Sequence, residues 1–330
     1  MSDFVRRILL VAWVLGDYDP NMKTIHNELV QALTETICQT NGITLNDTLD
    51  LIIQGDPEEL SQEAFACICD FKEKLNRFII NQIHISELME HAVSSALFEI
   101  FKSFPLKYRE EHIHLTGALT AEFIYPRLKV LLDGPDKEIY KQKIIEVYGA
   151  SAWPIQSVQD VDRLIRLSEG EGFMTYLKIL YLPKLIFVSR QAHKEGAYHI
   201  ADELYHKYNV GFVRLKFSLS RSTQSASEQI PGIDDLTSED VILGLYDGFK
   251  EFQNKFPDFD FVLSPSFRKE AHHFDSTKYS SRKAHFDDQV NDIIKLVTQY
   301  PQLAKHVTDV DTVGDESNLY RKEHFNELQE

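Results

Sequence analysis

From residue 112 onward, short runs rich in β-branched and aromatic residues alternate with long amphipathic ones, and this alternation restricts the fold more than any other feature of the chain. The β-rich runs are HIHLT (112–116), VGFVRLKFSL (210–219), FDFVLSPSF (259–267) and HVTDVDTVG (306–314). Between them lie AHKEGAYHIADELYHKY, SEDVILGLYDGFKEFQNKF and FDDQVNDIIKLVTQY, in which apolar residues recur at helical spacing. Strand, helix, strand, helix in one order predicts parallel strands joined by crossover helices, an α/β architecture. The stretch 120–209 is much longer than a minimal crossover, which predicts extra helices inserted after the first strand.

Residues 1–105 carry a different pattern. Helical periodicity runs through IHNELVQALTETI, PEELSQEAFACICDFKEKLNRFI and ISELMEHAVSSALFEIF, with turn signals at Asn41-Gly42 and Gly55-Asp56-Pro57. The expected organisation is an all-helical region over 1–105 and an α/β region over 106–330. The opening MSDFVRRILLVAWVLGDYDP resembles a secretory leader, but its apolar run is short and ends in Gly-Asp-Tyr-Asp-Pro, so a buried first helix is expected. No segment is long enough to span a bilayer.

Charge narrows the partners. With 35 Lys+Arg against 51 Asp+Glu the net charge is −16, −9 of it in residues 1–105, which repels nucleic-acid backbones and anionic membrane surfaces. A small molecule or another protein is the expected partner. The three cysteines, Cys38, Cys67 and Cys69, are an odd and sparse set that does not make a disulfide framework, which predicts a reducing, cytoplasmic setting.

The stretch EHIHLTGAL (111–119) holds the most chemically suggestive residues. On a strand, side chains at i and i+2 share a face, so His112 and His114 can converge while Ile113 and Leu115 point the other way. Convergent imidazoles suit two metal ligands; a hydrogen-bonded buried pair is the alternative reading of the same spacing.

This stretch, arriving after a helical approach and SFPLKYRE, resembles the first-strand motif of the adenosine deaminase family, in the metal-dependent hydrolase superfamily. EGFMTYLKIL resembles the helical segment over that family's substrate pocket. NVGFVRLKFSLSRS resembles its second strand, FDFVLSPSFRKE, with Arg268, its third, and VDTVGDE its fourth. The resemblance covers residues 105–330 and implies the first half of a (β/α)8 TIM barrel. It also implies zinc as cofactor, with His112 and His114 as metal ligands. The implied activity is a hydrolase that removes the 6-amino group of adenosine or a related aminopurine by zinc-hydroxide attack. The backbone N–H of Gly314 would then meet a purine ring nitrogen, and Asp315 and Glu316 would support that turn or else stand as solvated strand-end carboxylates. Family members with helical extensions imply a homodimer.

Two departures qualify what is implied. Thr116 stands where the family carries a sugar-contacting aspartate, which weakens the implied nucleoside specificity and leaves adenine, a nucleotide or another aminopurine open as substrate. The His-x-Gly-Glu of the fifth strand is absent, as are the later histidine and the aspartate pair, and 16 residues follow Gly314. The expectation is therefore a barrel that stops about halfway, with no catalytic residue assigned and a complementing chain supplying the rest. A degenerate paralogue serving as a binding or regulatory module, and an amidohydrolase of other substrate, are the alternatives. Other candidates read as structural. Asp287-Asp288 reads as helix N-terminal acids, Asp234-Asp235 as loop, Cys67 and Cys69 as helix packing, and His285, His306 and His324 as surface or helix-end residues. His272-His273 can offer at most one ligand.

Overall fold

A computed structural model describes residues 20–40, 44–55, 60–168, 171–219, 236–268 and 278–314, with isolated positions at 230, 232, 274, 276 and 326. The expected first helix, Asp234-Asp235, His272-His273, Asp315, Glu316 and His324 lie outside the described residues. The chain divides into two compact units, one of residues 1–108 with 206–209, the other of residues 109–205 with 210–330.

The first unit holds the helices α1 (Pro20–Gln39), α2 (Leu45–Gln54), α3 (Gln62–Ile79), α4 (Ile85–Met89) and α5 (Ala92–Lys102). Their starts are chemically specified. Thr44 accepts from the Asp47 backbone N–H while the Asp47 carboxylate accepts from the Thr44 N–H, a reciprocal box that satisfies two otherwise orphaned donors. Ser61 caps α3 and donates to Glu28 of α1 at 2.5 Å. The apolar stripes meet in a core of Leu29, Leu33, Leu49, Ile68, Phe71 and Val93. ISELMEHAVSSALFEIF is two helices rather than one, because the His91 ring accepts from the Val93 N–H and so begins α5 afresh.

In the second unit, to which all but Tyr108 and residues 206–208 of these elements belong, β1 (Tyr108–His114) is followed by α6 (Ala121–Leu132), α7 (Lys137–Tyr148), α8 (Val158–Ile165), α9 (Phe173–Ile179), α10 (Tyr181–Lys184) and α11 (Arg190–Tyr208). Then come β2 (Val210–Phe217), α12 (Ser238–Lys255), β3 (Asp260–Arg268), α13 (Arg282–Gln299) and β4 (Asp311–Val313). The four parallel strands lie in the order β1-β2-β3-β4 and curl into a half-barrel. Phe212 is in register with Asp260, Lys216 with Ser264, and Ser266 with Asp311.

Alternation along the strands separates two faces. Phe261 stacks on Phe249 of α12 with ring centroids 5.0 Å apart, and Phe267 meets Phe286 of α13 edge-on at 5.2 Å, so this face of β3 is packed under the helices. The residues between them, Ser264 and Ser266, turn to the opposite face and bond to Asp309 and Asp311.

Several expectations need correction. β1 begins four residues before HIHLT and ends at His114, where Leu115–Gly117 forms a single 3-10 turn. HVTDVDTVG contributes only Asp311–Val313 as strand, since Pro301–Lys305 is itself a 3-10 turn that ends at His306. α13 starts at Arg282, so Asp287 and Asp288 sit beyond its first turn. Asp287 pairs with Lys283 at 3.1 Å, and Asp288 accepts from the Tyr279 hydroxyl at 2.6 Å, contacts that replace the expected dipole role. His285 is buried, 4% exposed, rather than on the surface.

Candidate metal centre

The site is built at the carboxyl end of β1. Ile113 is buried and anchors the strand, which leaves His112 and His114 on the other face, as the two-residue period requires. Their Nε2 atoms lie 3.2 Å apart, with ring centroids at 5.1 Å and planes at 61°. At that separation one Nε2 donates and the other accepts. Buried Leu115 then pulls the chain into the turn that carries Thr116.

The fit to a metal can be judged from this geometry. Two nitrogen ligands about 2.0–2.1 Å from a tetrahedral zinc stand about 3.3 Å apart, close to the 3.2 Å between these two Nε2 atoms. A third donor lies close by. A carboxylate oxygen of Asp311 and the ligand atoms of His112 and His114 all fall within 4.8 Å of one another, and among the described residues they form the one such group. The residue types suit a borderline-soft divalent ion.

The inward face beside the cluster is polar and paired. Lys216 Nζ of β2 lies 2.5 Å from Asp311 Oδ1, reaching past β3, whose small Ser264 and Ser266 leave the space. Ser266 Oγ makes only a long contact, 3.4 Å, to Asp311 Oδ2. One step earlier, Arg214 is ion-paired with Asp309, and Ser264 Oγ donates to Asp309 Oδ1 at 2.5 Å. Arg214 Nε also donates to Glu111 at 3.0 Å, and Arg109 Nε does so at 2.9 Å. Burial alone would raise the Glu111 pKa, but hydrogen bonds from Arg214 and Arg109 hold it below the usual carboxylate range.

The structure thus brings His112 and His114 together, with Thr116 in the turn that follows them. Gly314 closes β4 at φ 133°, a left-handed conformation that favours glycine. Arg268 ends β3 in register with Val313. Cys67 packs against the helical core, and Cys69 lies half-buried on the same helix. Sequence reasoning missed Asp311, although it lies inside VDTVGDE. The available signal was a carboxylate in the middle of a run otherwise fit to be a buried strand.

No protein-family model and no curated protein matches the chain. Solved structures do. Arabidopsis ADAL complexed with IMP and the apo N6-methyl-AMP deaminase from Arabidopsis thaliana each match at 13% identity and TM-score 0.44, covering 70% of this chain and 56% of theirs. Arabidopsis N6-mAMP deaminase MAPDA matches at 14% identity and TM-score 0.40, covering 70% of this chain and 58% of its own. The chain therefore spans little more than half the length of these structures. Among the described residues, no helix is long and apolar enough to cross a membrane.

Proposed function

We propose that this chain is an adenosine-deaminase-like zinc hydrolase acting on the amino group of an aminopurine. The observation that carries the reading is the 3.2 Å approach of the His112 and His114 Nε2 atoms at the carboxyl end of the first parallel strand, the end where catalytic residues of such barrels gather. His112 and His114 would hold the metal. Zinc bound there supplies a Lewis acid and a water whose pKa falls toward neutrality.

The chain's own groups have limited, separable tasks in this reading. Ile113 and Leu115, both buried, fix the strand so that the two rings hold one spacing without a metal. The Gly314 N–H, at the carboxyl end of β4, donates to a purine ring nitrogen. Thr116 offers a neutral hydroxyl to the sugar, a weaker contact than a carboxylate makes. No proton-transferring residue is assigned, and a second copy or a complementing chain is the proposed source of groups beyond these four strands.

The test is zinc content by elemental analysis of the purified chain, together with amine release from adenosine, AMP and N6-methyl-AMP. Stoichiometric zinc that is lost in H112A/H114A, with no ammonia or methylamine released until the complementing groups are supplied, is the expected result; turnover by the chain alone would overturn the reading that its site is incomplete. Tight purine binding with neither zinc nor turnover would instead favour the binding-module reading, and absence of zinc binding would end the hydrolase one.

A further inference from the structure

The half-barrel's inward face holds two ion pairs that look alike and differ in one respect. Asp309 is saturated: Oδ1 accepts from Ser264 at 2.5 Å, while Oδ2 takes the Arg214 guanidinium and a contact from Thr308 at 3.3 Å. Asp311 is not. Its Oδ1 takes Lys216, but among the described residues its Oδ2 has only the 3.4 Å contact from Ser266. Asp311 is also the carboxylate that lies by the imidazoles.

We infer that Asp311 is a third protein donor to the metal held by His112 and His114, and that Lys216 is the cation that neutralises this carboxylate while no metal is bound. The inference rests on the zinc reading and extends it to a residue on the fourth strand. Two imidazoles and one carboxylate are a donor set used by catalytic zinc sites, which keep a further position for water. A tetrahedral site spaces its donors by about 3.4 Å, so from 4.8 Å or less the carboxylate closes in by at most about 1.4 Å, a side-chain rotation.

Burial supports the assignment. The side chains of Lys216 and Asp311 are 10% and 13% exposed, and two charges this far from water cost several kcal/mol each to desolvate. An apolar pair would fill the same space at no such cost, so a largely shielded carboxylate beside two imidazoles is explained by a cation it serves. The ammonium satisfies its charge in the interim, and the metal, with twice the charge and two more ligands, takes over.

The experiment is zinc titration of the full chain against a chromophoric chelator, with cobalt(II) as a spectroscopic substitute, on wild type, D311N, D309N, K216M and H112A/H114A. D311N is expected to weaken zinc binding by about tenfold or more and to alter the cobalt d–d spectrum, with far-UV circular dichroism unchanged. D309N is expected to bind as wild type does, and K216M to bind more tightly because its competitor is gone. Wild-type affinity and spectrum in D311N, alongside lost binding in H112A/H114A, would overturn the inference and leave the two-histidine reading standing. An equal loss in D309N would overturn it too, by assigning the effect to the polar network, and weaker binding in K216M would overturn the neutralising role. Undiminished binding in H112A/H114A would sink the zinc reading itself.

Discussion

Gly248 of α12 lies so close to the carbonyl oxygen of Lys194 on α11 that no β-carbon fits between them, and Gly244, one turn earlier, also leaves no room for one against the carbonyl of Arg190. These helices follow and precede β2, so their approach sets how closely the crossover layer packs. In an exposed helix interior a glycine-to-alanine change adds about 1 kcal/mol of stability. Here overpacking wins, and G248A is expected to cost about 2–3 kcal/mol net. Urea denaturation reads this as a lower midpoint at unchanged m-value; a midpoint at or above wild type would show that the helices separate freely.

Acid should destabilise the protein before its carboxylates titrate. Burial lowers the pKa of His193, whose ring packs on Phe187 and whose Nδ1–H donates to the Ser189 carbonyl at 2.9 Å. Burial also lowers that of His91, with the hydrogen bond to Asp70 opposing it only in part. Both folded values lie below the unfolded value of about 6.5, so the stability contributed is complete above that pH and is lost as pH falls through and below it. The melting temperature is expected to drop as pH falls below about 6.5. In H91N/H193N, which keeps polar groups at both positions without a titrating ring, the profile should flatten; an unchanged slope would assign the effect elsewhere.

Tyr148 ties α7 to the α9–α10 junction through one oxygen, donating to the Lys178 carbonyl at 2.6 Å and accepting from the Leu182 N–H at 2.9 Å. Burial pushes its pKa far upward, so the phenol keeps its proton and its donor role. Y148F leaves the Leu182 N–H without its acceptor, at a cost of about 1–2 kcal/mol. Hydrogen exchange should quicken in residues 173–184 with little change in the strands.

What could be read from the chain, and what could not, follows the range of each interaction. The four strands and their order follow from composition and period, both local. The convergence of His112 and His114 follows from spacing alone, because two residues on one strand carry their own geometry. Asp311 meets them only after all four strands have paired, nearly 200 residues later, and no local pattern encodes that meeting. The short β4 was hidden for a related reason. β propensity runs through 306–310, yet that stretch follows a 3-10 turn and lends β3 the His306 carbonyl, which accepts from the Leu263 N–H at 2.6 Å.

Metal should stabilise the fold by mass action. An ion that binds only the folded chain adds about 2.7 kcal/mol at a free concentration one hundred times its Kd. Thermal melts with rising zinc should therefore climb in wild type and stay flat in H112A/H114A. A climb of equal size in that variant would place the bound zinc at another site.

The Lys216–Asp311 pair sets a contrast between removing one charge and removing both. In metal-free protein K216M leaves a carboxylate that is 13% exposed without its cation, which is expected to cost about 3 kcal/mol or somewhat more. D311N strands the ammonium and should cost a similar amount. The double variant K216M/D311L removes both desolvation penalties, and its stability should return to within about 1 kcal/mol of wild type or exceed it, since apolar pairs of like volume often replace buried ion pairs without loss. Zinc separates the single variants: it should restore stability to K216M, where the carboxylate can still serve the metal, and do little for D311N. If chemical denaturation finds the K216M and D311L changes, each measured alone, additive in K216M/D311L, the two groups do not interact in the folded chain.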